Sequence, residues 1–99
     1  MSTVYINGTT SASNGADFIL STGSSRTFIA STDDNSIGVP PDCVLELQIK
    51  ESENSGYIRV GTLCDFNNPV GVVTARGEGD STFRVVKSAT ALAIEVLFD

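Results

Sequence analysis

The sequence predicts an all-β protein, a small antiparallel β-sandwich of about seven or eight strands, with a small barrel as the alternative. Three observations carry that prediction. Short segments alternate apolar with polar residues, most clearly in "VLELQIK", where Leu45, Leu47 and Ile49 interleave with Glu46, Gln48 and Lys50. A period of two is the signature of a strand with one buried face. These segments are separated by clusters of Gly, Pro, Asn, Asp and Ser, close enough together for antiparallel pairing. No segment holds a helical period of 3.6 over about ten residues.

The elements follow in order. Residues 1–15, "MSTVYINGTTSASNG", are polar apart from Val4, Tyr5 and Ile6; they read as a flexible arm, or as a short edge strand with a flexible tail, ahead of a single β domain over 16–99. "DFIL" (Asp17 to Leu20) and "RTFIAS" (Arg26 to Ser31) are strands joined by the turn "STGSS". "TDDNSIGVPPD" is a loop, because Pro40 and Pro41 lack amide donors and its Asp, Asn and Gly favour turns. The hairpin Val44 to Leu63 comes next, then the "DFNNP" corner and the strand "PVGVVTAR". After the turn "GEGDS", the strand "TFRVVK" puts Phe83 and Val85 on one face, and "LAIEVLFD" alternates Ile94, Val96 and Phe98 with Glu95, Leu97 and Asp99. Between them "SATALA" is too short to hold a helix alone.

Composition narrows the function. The chain has 99 residues, 40% of them hydrophobic and 18% charged. That is one domain with a real core and no sign of wholesale disorder. A net charge of −6, with six dispersed basic residues, disfavours nucleic acid and anionic membrane as partners. No apolar run is long enough to span a bilayer, and the N-terminus lacks the basic start and apolar core of a secretory signal. Cys43 and Cys64 read as buried free thiols rather than a bridge, which fits synthesis in a reducing cytoplasm.

Candidate sites are each outweighed by a plainer reading. The absence of histidine removes the commonest general base and, with only two cysteines, any zinc set. Glu46 and Glu95 lie on outward rows, and an acid–base pair requires that they share a face; solvated sheet charges are the plainer reading. Asp33, Asp34 and Asn35 in "STDDNS" offer oxygen ligands but are consecutive, not alternate as in a calcium-binding EF-hand loop, and read as a solvated turn. Gly77 and Gly79 in "RGEGDST" lead into a strand, whereas phosphate cradles lead into a helix. Asn7-Gly8-Thr9 matches a glycosylation sequon by chance. Tyr57, beside a loop, is a candidate stacking residue for a ligand, but with no Trp and two Tyr the chain has no evident aromatic platform. The expectation is therefore a non-enzymatic structural or interaction protein, needing no cofactor and no metal. A small acidic inhibitor or mimic is a third reading, resting on charge alone.

The succession of Gly15 to Thr27, Val60 to Leu63, Asn68 to Val70, Val73 to Gly77 and Thr82 to Val85 resembles small virion proteins of tailed bacteriophages, of the capsid decoration (cement) or head accessory type. The resemblance implies a homotrimer on the virion's outer capsid surface, made in the host cytoplasm, with the major capsid protein or other virion proteins as partners. It also implies an arm, Thr3, Val4, Tyr5, Ile6 and Asn7, that orders on the shell. Deleting residues 2–14 is then expected to weaken attachment while the β core still melts cooperatively. The alternative is a surface-displayed carbohydrate- or receptor-binding module, with Tyr57, Asp33, Asp34 and Asn35 as its site. In either case the outward row of the Val44–Leu63 hairpin faces solvent or a sister subunit.

Overall fold

The computed structural model describes residues 3–32, 42–50, 56–65, 68–75 and 81–99. Strands β1 (Thr3–Thr9), β2 (Ser13–Asn14), β3 (Phe18–Leu20), β4 (Ser25–Thr32), β5 (Leu45–Lys50), β6 (Tyr57–Cys64), β7 (Val70–Thr74), β8 (Ser81–Lys87) and β9 (Ile94–Phe98) follow one another without a helix among the described residues. They form two antiparallel sheets, not a closed barrel. Sheet A has the order β1-β9-β4-β7, and sheet B the order β2-β8-β5-β6, with β3 also pairing β8. The chain changes sheet at most connections; the β5–β6 hairpin, with Lys50 opposite Tyr57, stays within sheet B.

The predicted strands fall where alternation placed them. Leu45 is fully buried, Leu47 and Ile49 pack against the core, and Phe83, Val85, Ile94 and Val96 are buried. Phe28, on the inward row of β4, is also completely enclosed. Arg26, half-buried, also points inward, its guanidinium 5.1 Å from the Phe18 ring centroid and 4.6 Å from that of Phe98, so the cation meets two aromatic rings. Cys43 and Cys64 are both buried free thiols.

Of the two readings of residues 1–15, the edge strand is the one found, and the flexible arm is corrected over 3–9. Residues 3–9 are edge strand β1, paired with β9 through Val4↔Leu97 and Ile6↔Val96. The register slips by one residue between those pairs, a bulge that turns Tyr5 and Ile6 together toward the core instead of to opposite faces. The Tyr5 ring meets Phe18, Phe28 and Phe98 edge-on at centroid distances of 6.0, 5.1 and 5.8 Å. Its hydroxyl reaches sheet B, donating to the Ala16 carbonyl and accepting from the Val85 amide at 3.1 Å. A Cβ on Gly15 would stand 2.1 Å from this ring, so the glycine makes room for the tyrosine. Gly71 likewise leaves space for Leu63, whose carbonyl oxygen would lie 2.5 Å from an added Cβ. That contact closes the sheets together at the β6–β7 corner, where Asp65 and Asn68 exchange backbone hydrogen bonds of 3.0 and 3.1 Å.

Candidate functional site

The sandwich offers two outer faces of opposite chemistry, each built by strand register. On sheet A the pairs Val4↔Leu97, Leu97↔Ile29 and Ile29↔Val70 align four aliphatic side chains in one row across every strand of the sheet. Val72, opposite Thr27, extends the row on β7. Val4, Val70 and Val72 are 47%, 42% and 55% exposed, so this is apolar surface facing water. Glu95, opposite Ser31, and Asp99, paired with Thr27, flank the row.

The outer face of sheet B is polar apart from Ile19, which is 61% exposed. Ile19, Thr82, Lys50 and Tyr57 form one row by register, and Arg84, Gln48 and Arg59 the next. Arg59 Nε lies 3.0 Å from Glu46 Oε1, Gln48 Nε2 donates to Glu46 Oε2 at 2.7 Å, and Arg84 Nε donates to Gln48 Oε1 at 2.7 Å. The Tyr57 ring lies over this network with the Arg84 guanidinium 3.6 Å from its centroid, and its hydroxyl donates to Asp17 Oδ1. That bond to a carboxylate, with some burial, raises the Tyr57 phenol above its ordinary pKa.

These placements sort the sequence candidates. Of the proposed attachment residues, Thr3, Val4 and Asn7 are exposed on β1, while Tyr5 and Ile6 belong to the interior. Tyr57 lies at the surface with one ring face occupied by Arg84; Asp33, Asp34 and Asn35 lie outside the described residues. Glu46 and Glu95 do not share a face: one is on sheet B and the other on sheet A, which removes them as an acid–base pair. Sequence reading missed the partners of Tyr57, since Asp17 and Arg84 are brought to it from β8 and the approach to β3. The sheet A row had a signal in "VGVV", apolar on both strand faces, and in Leu97 beside Glu95 on the outward row of β9.

Inside the sandwich, the buried titratable groups are held by shape and hydrogen bonds. The Lys87 side chain occupies the inward row of β8 and is fully buried. Its ammonium donates to the Ser11 carbonyl at 3.2 Å, the Ser88 carbonyl at 2.9 Å and Thr90 Oγ1 at 3.0 Å. Next to it, Ser88 Oγ donates to the Asp42 carbonyl and accepts from the Val44 amide, both at 3.0 Å, and so clamps the approach to β5. Burial pushes the Cys64 thiol from 9.0 up to about 12, with the nearby Cys43 and Asp65 adding to the effect. Because the folded pKa is the raised one, this thiol's contribution to stability is complete below about pH 9 and is lost as pH rises toward 12. Urea midpoints of Cys64→Ala are therefore expected to fall less steeply between pH 9 and 11 than those of the wild type; parallel curves would contradict the assignment.

No protein-family model, no curated protein and no solved structure matches this chain.

Proposed function

We propose that this chain is a non-enzymatic structural protein of a virus particle, a capsid decoration protein that binds the outer capsid surface as a multivalent homo-oligomer. A trimer is the form the phage-protein resemblance favours. The observation that carries the reading is the pair of opposed outer faces, one with an aliphatic row that crosses all four strands and is exposed at its two edges, the other with a cross-linked polar network. A monomer with no neighbours gains nothing from holding Val4, Val70 and Val72 in water, whereas a chain seated between neighbours buries them. The rigidity suits the role, because a sheet clamped by the Tyr5 hydroxyl and by Lys87 presents its surfaces without an ordering cost at each contact. Several weak contacts from one oligomer then multiply through effective concentration.

On this reading the exposed side of β1, from Thr3 to Asn7, faces the major capsid protein or another virion protein. The test is co-sedimentation of the purified chain with virion shells that lack it. Saturable binding is expected, weakened at least tenfold in the Thr3→Lys, Asn7→Lys double variant with an unchanged melting temperature, since both side chains are exposed. Wild-type affinity in that variant removes the β1 edge from the interface. Absence of shell binding, together with saturable glycan binding that is lost in Tyr57→Ala, favours a surface-displayed binding module instead.

A further inference from the structure

We infer that two copies of this chain pair side to side about a two-fold axis, β7 lying antiparallel to β7 of the second copy and the two β6 edges meeting beneath it. The inference goes beyond the decoration reading, since it fixes how copies meet and not what they attach to. The observation is where exposed apolar surface gathers. Among the described residues, four of the seven exposed large apolar side chains, Ile58, Val60, Val70 and Val72, stand on β6 and β7. Those strands are the last of sheet B and the last of sheet A, and they meet at the corner where Leu63 fills the space beside Gly71. One side of the sandwich therefore holds most of that surface. The opposite side, bounded by β1 and by the two- and three-residue strands β2 and β3, holds Val4 and Ile19.

The second copy is the occupant because β7 is complementary to itself. It pairs with β4 residue for residue, without a bulge, and its outer amides and carbonyls have no partner among the described residues. Sheet edges are ordinarily blunted by bulges, charges or shortness. β1 and β6 each carry two register shifts and β2 and β3 are short, whereas β7 is neither bulged nor charged. An axis through Val72 sets Val72 against Val72 of the second copy, Val70 against Thr74, and Gly71 against Val73. The first two pairs are β-branched and exposed, the third is buried, and the burial pattern of β7 is itself symmetric about Val72. Both faces of sheet A therefore continue into the second copy. Because β6 is bulged, it contributes side chains instead of a ladder: Ile58 and Val60, 49% and 56% exposed, leave water when the second sandwich closes beside them. Charge does not oppose the contact. Arg59, the one charged residue of β6, is tied to Glu46 at 3.0 Å, and the axis carries the two Asp65 corners to opposite ends of the interface. The contact is isologous and closes at two chains, where the phage-protein resemblance favours three.

The test is sedimentation equilibrium of the full chain across a concentration series. The expected mass is that of two chains, falling to one on dilution. Val72→Lys on β7 and Val60→Lys on β6 should each weaken the dimer at least about tenfold, because each sets an unpaired charge in the contact. Val4→Lys, at the far end of the aliphatic row, should leave it unchanged. All three side chains are exposed, so circular dichroism should show the wild-type fold in each variant. Val72→Cys should cross-link to its own copy under oxidised glutathione, since directly opposed strand residues stand about 4.5–5.5 Å apart at Cα, within disulfide reach; Val4→Cys should not. A monomer at every concentration, or a mass of three chains, overturns the proposal. So does a dimer that Val4→Lys weakens as much as Val72→Lys while Val60→Lys does not, the result expected if sheet A packs face to face. Shells saturated by a monomer would remove this pairing and keep the attachment reading; a dimer that binds no shell would do the reverse.

Discussion

A variant lacking residues 2–14 is expected to lose cooperative unfolding altogether. The deletion removes β1 and β2, and with them the Tyr5 ring packed against Phe18, Phe28 and Phe98 and the buried Ile6. Truncating a buried aromatic or isoleucine to alanine typically costs about 2–5 kcal/mol. Losing both approaches the whole stability of a domain, on the order of 5–15 kcal/mol. The deletion also strips the Val85 amide of its Tyr5 partner and Lys87 of the Ser11 carbonyl. Circular dichroism should show a broad, non-sigmoidal melt, with dye binding to exposed apolar surface at room temperature. A two-state transition within about 5 °C of the wild type would restore the view of this segment as a detachable arm. Tyr5→Phe isolates the hydroxyl, and its loss should cost about 1–2 kcal/mol, or roughly 5–15 °C of melting temperature.

Lys87→Ala is expected to be the most damaging single substitution outside the aromatic cluster. It leaves a cavity at a fully enclosed position and removes the donor shared by the Ser11 carbonyl, the Ser88 carbonyl and Thr90 Oγ1. The combined cost is about 3–5 kcal/mol, a fall of at least roughly 12 °C. Lys87→Met keeps most of the volume and spares the desolvation of a charge, so it should recover more than half of that loss. Burial holds the Lys87 ammonium below its ordinary pKa of 10.5. In the window from that lowered value up to 10.5 the unfolded chain binds more protons than the folded one, so this group makes stability rise with pH there. Its sign is opposite to that of Cys64, and the slope missing from Lys87→Met in thermal melts across the same window identifies it. A Lys87→Ala protein melting within about 3 °C of the wild type would show that the ammonium holds nothing in place.

The two-sheet architecture was legible because it is written locally. In β5, β8 and β9 a period of two sorts inward from outward residues without reference to any partner strand. The N-terminal segment was legible only as one of two alternatives, an edge strand or a flexible arm, for two physical reasons. Its bulge turns Tyr5 and Ile6 to one side, which breaks the alternation that would have marked a strand, and its pairing partner β9 lies at the other end of the chain. Lys87 continues the inward series of Phe83 and Val85, but a lysine at a strand end reads as a surface charge; the acceptors that make burial tolerable come from the β1–β2 corner and the residues after β8. The outer surfaces were the least legible. Leu97 and Val72 could be placed outward singly, but an aliphatic row arises only from the register of four strands, and the order β1-β9-β4-β7 is not a local property. Tyr57 was singled out for its position beside a loop, while its partnership with Asp17 and Arg84 depends on how β3 and β8 are set across the sheet.

The repeated passage of the chain from one sheet to the other has a kinetic consequence. Sheet A draws on β1, β4, β7 and β9, so no contiguous stretch of polypeptide contains it, and sheet B is interleaved in the same way. Neither layer can form early and wait for the other, and β1 has no neighbour to join until Leu97 has been synthesised. Domains dominated by such non-local pairing fold in milliseconds to seconds. The same interleaving ties the layers together, because most connections carry the chain from a strand of one sheet to a strand of the other.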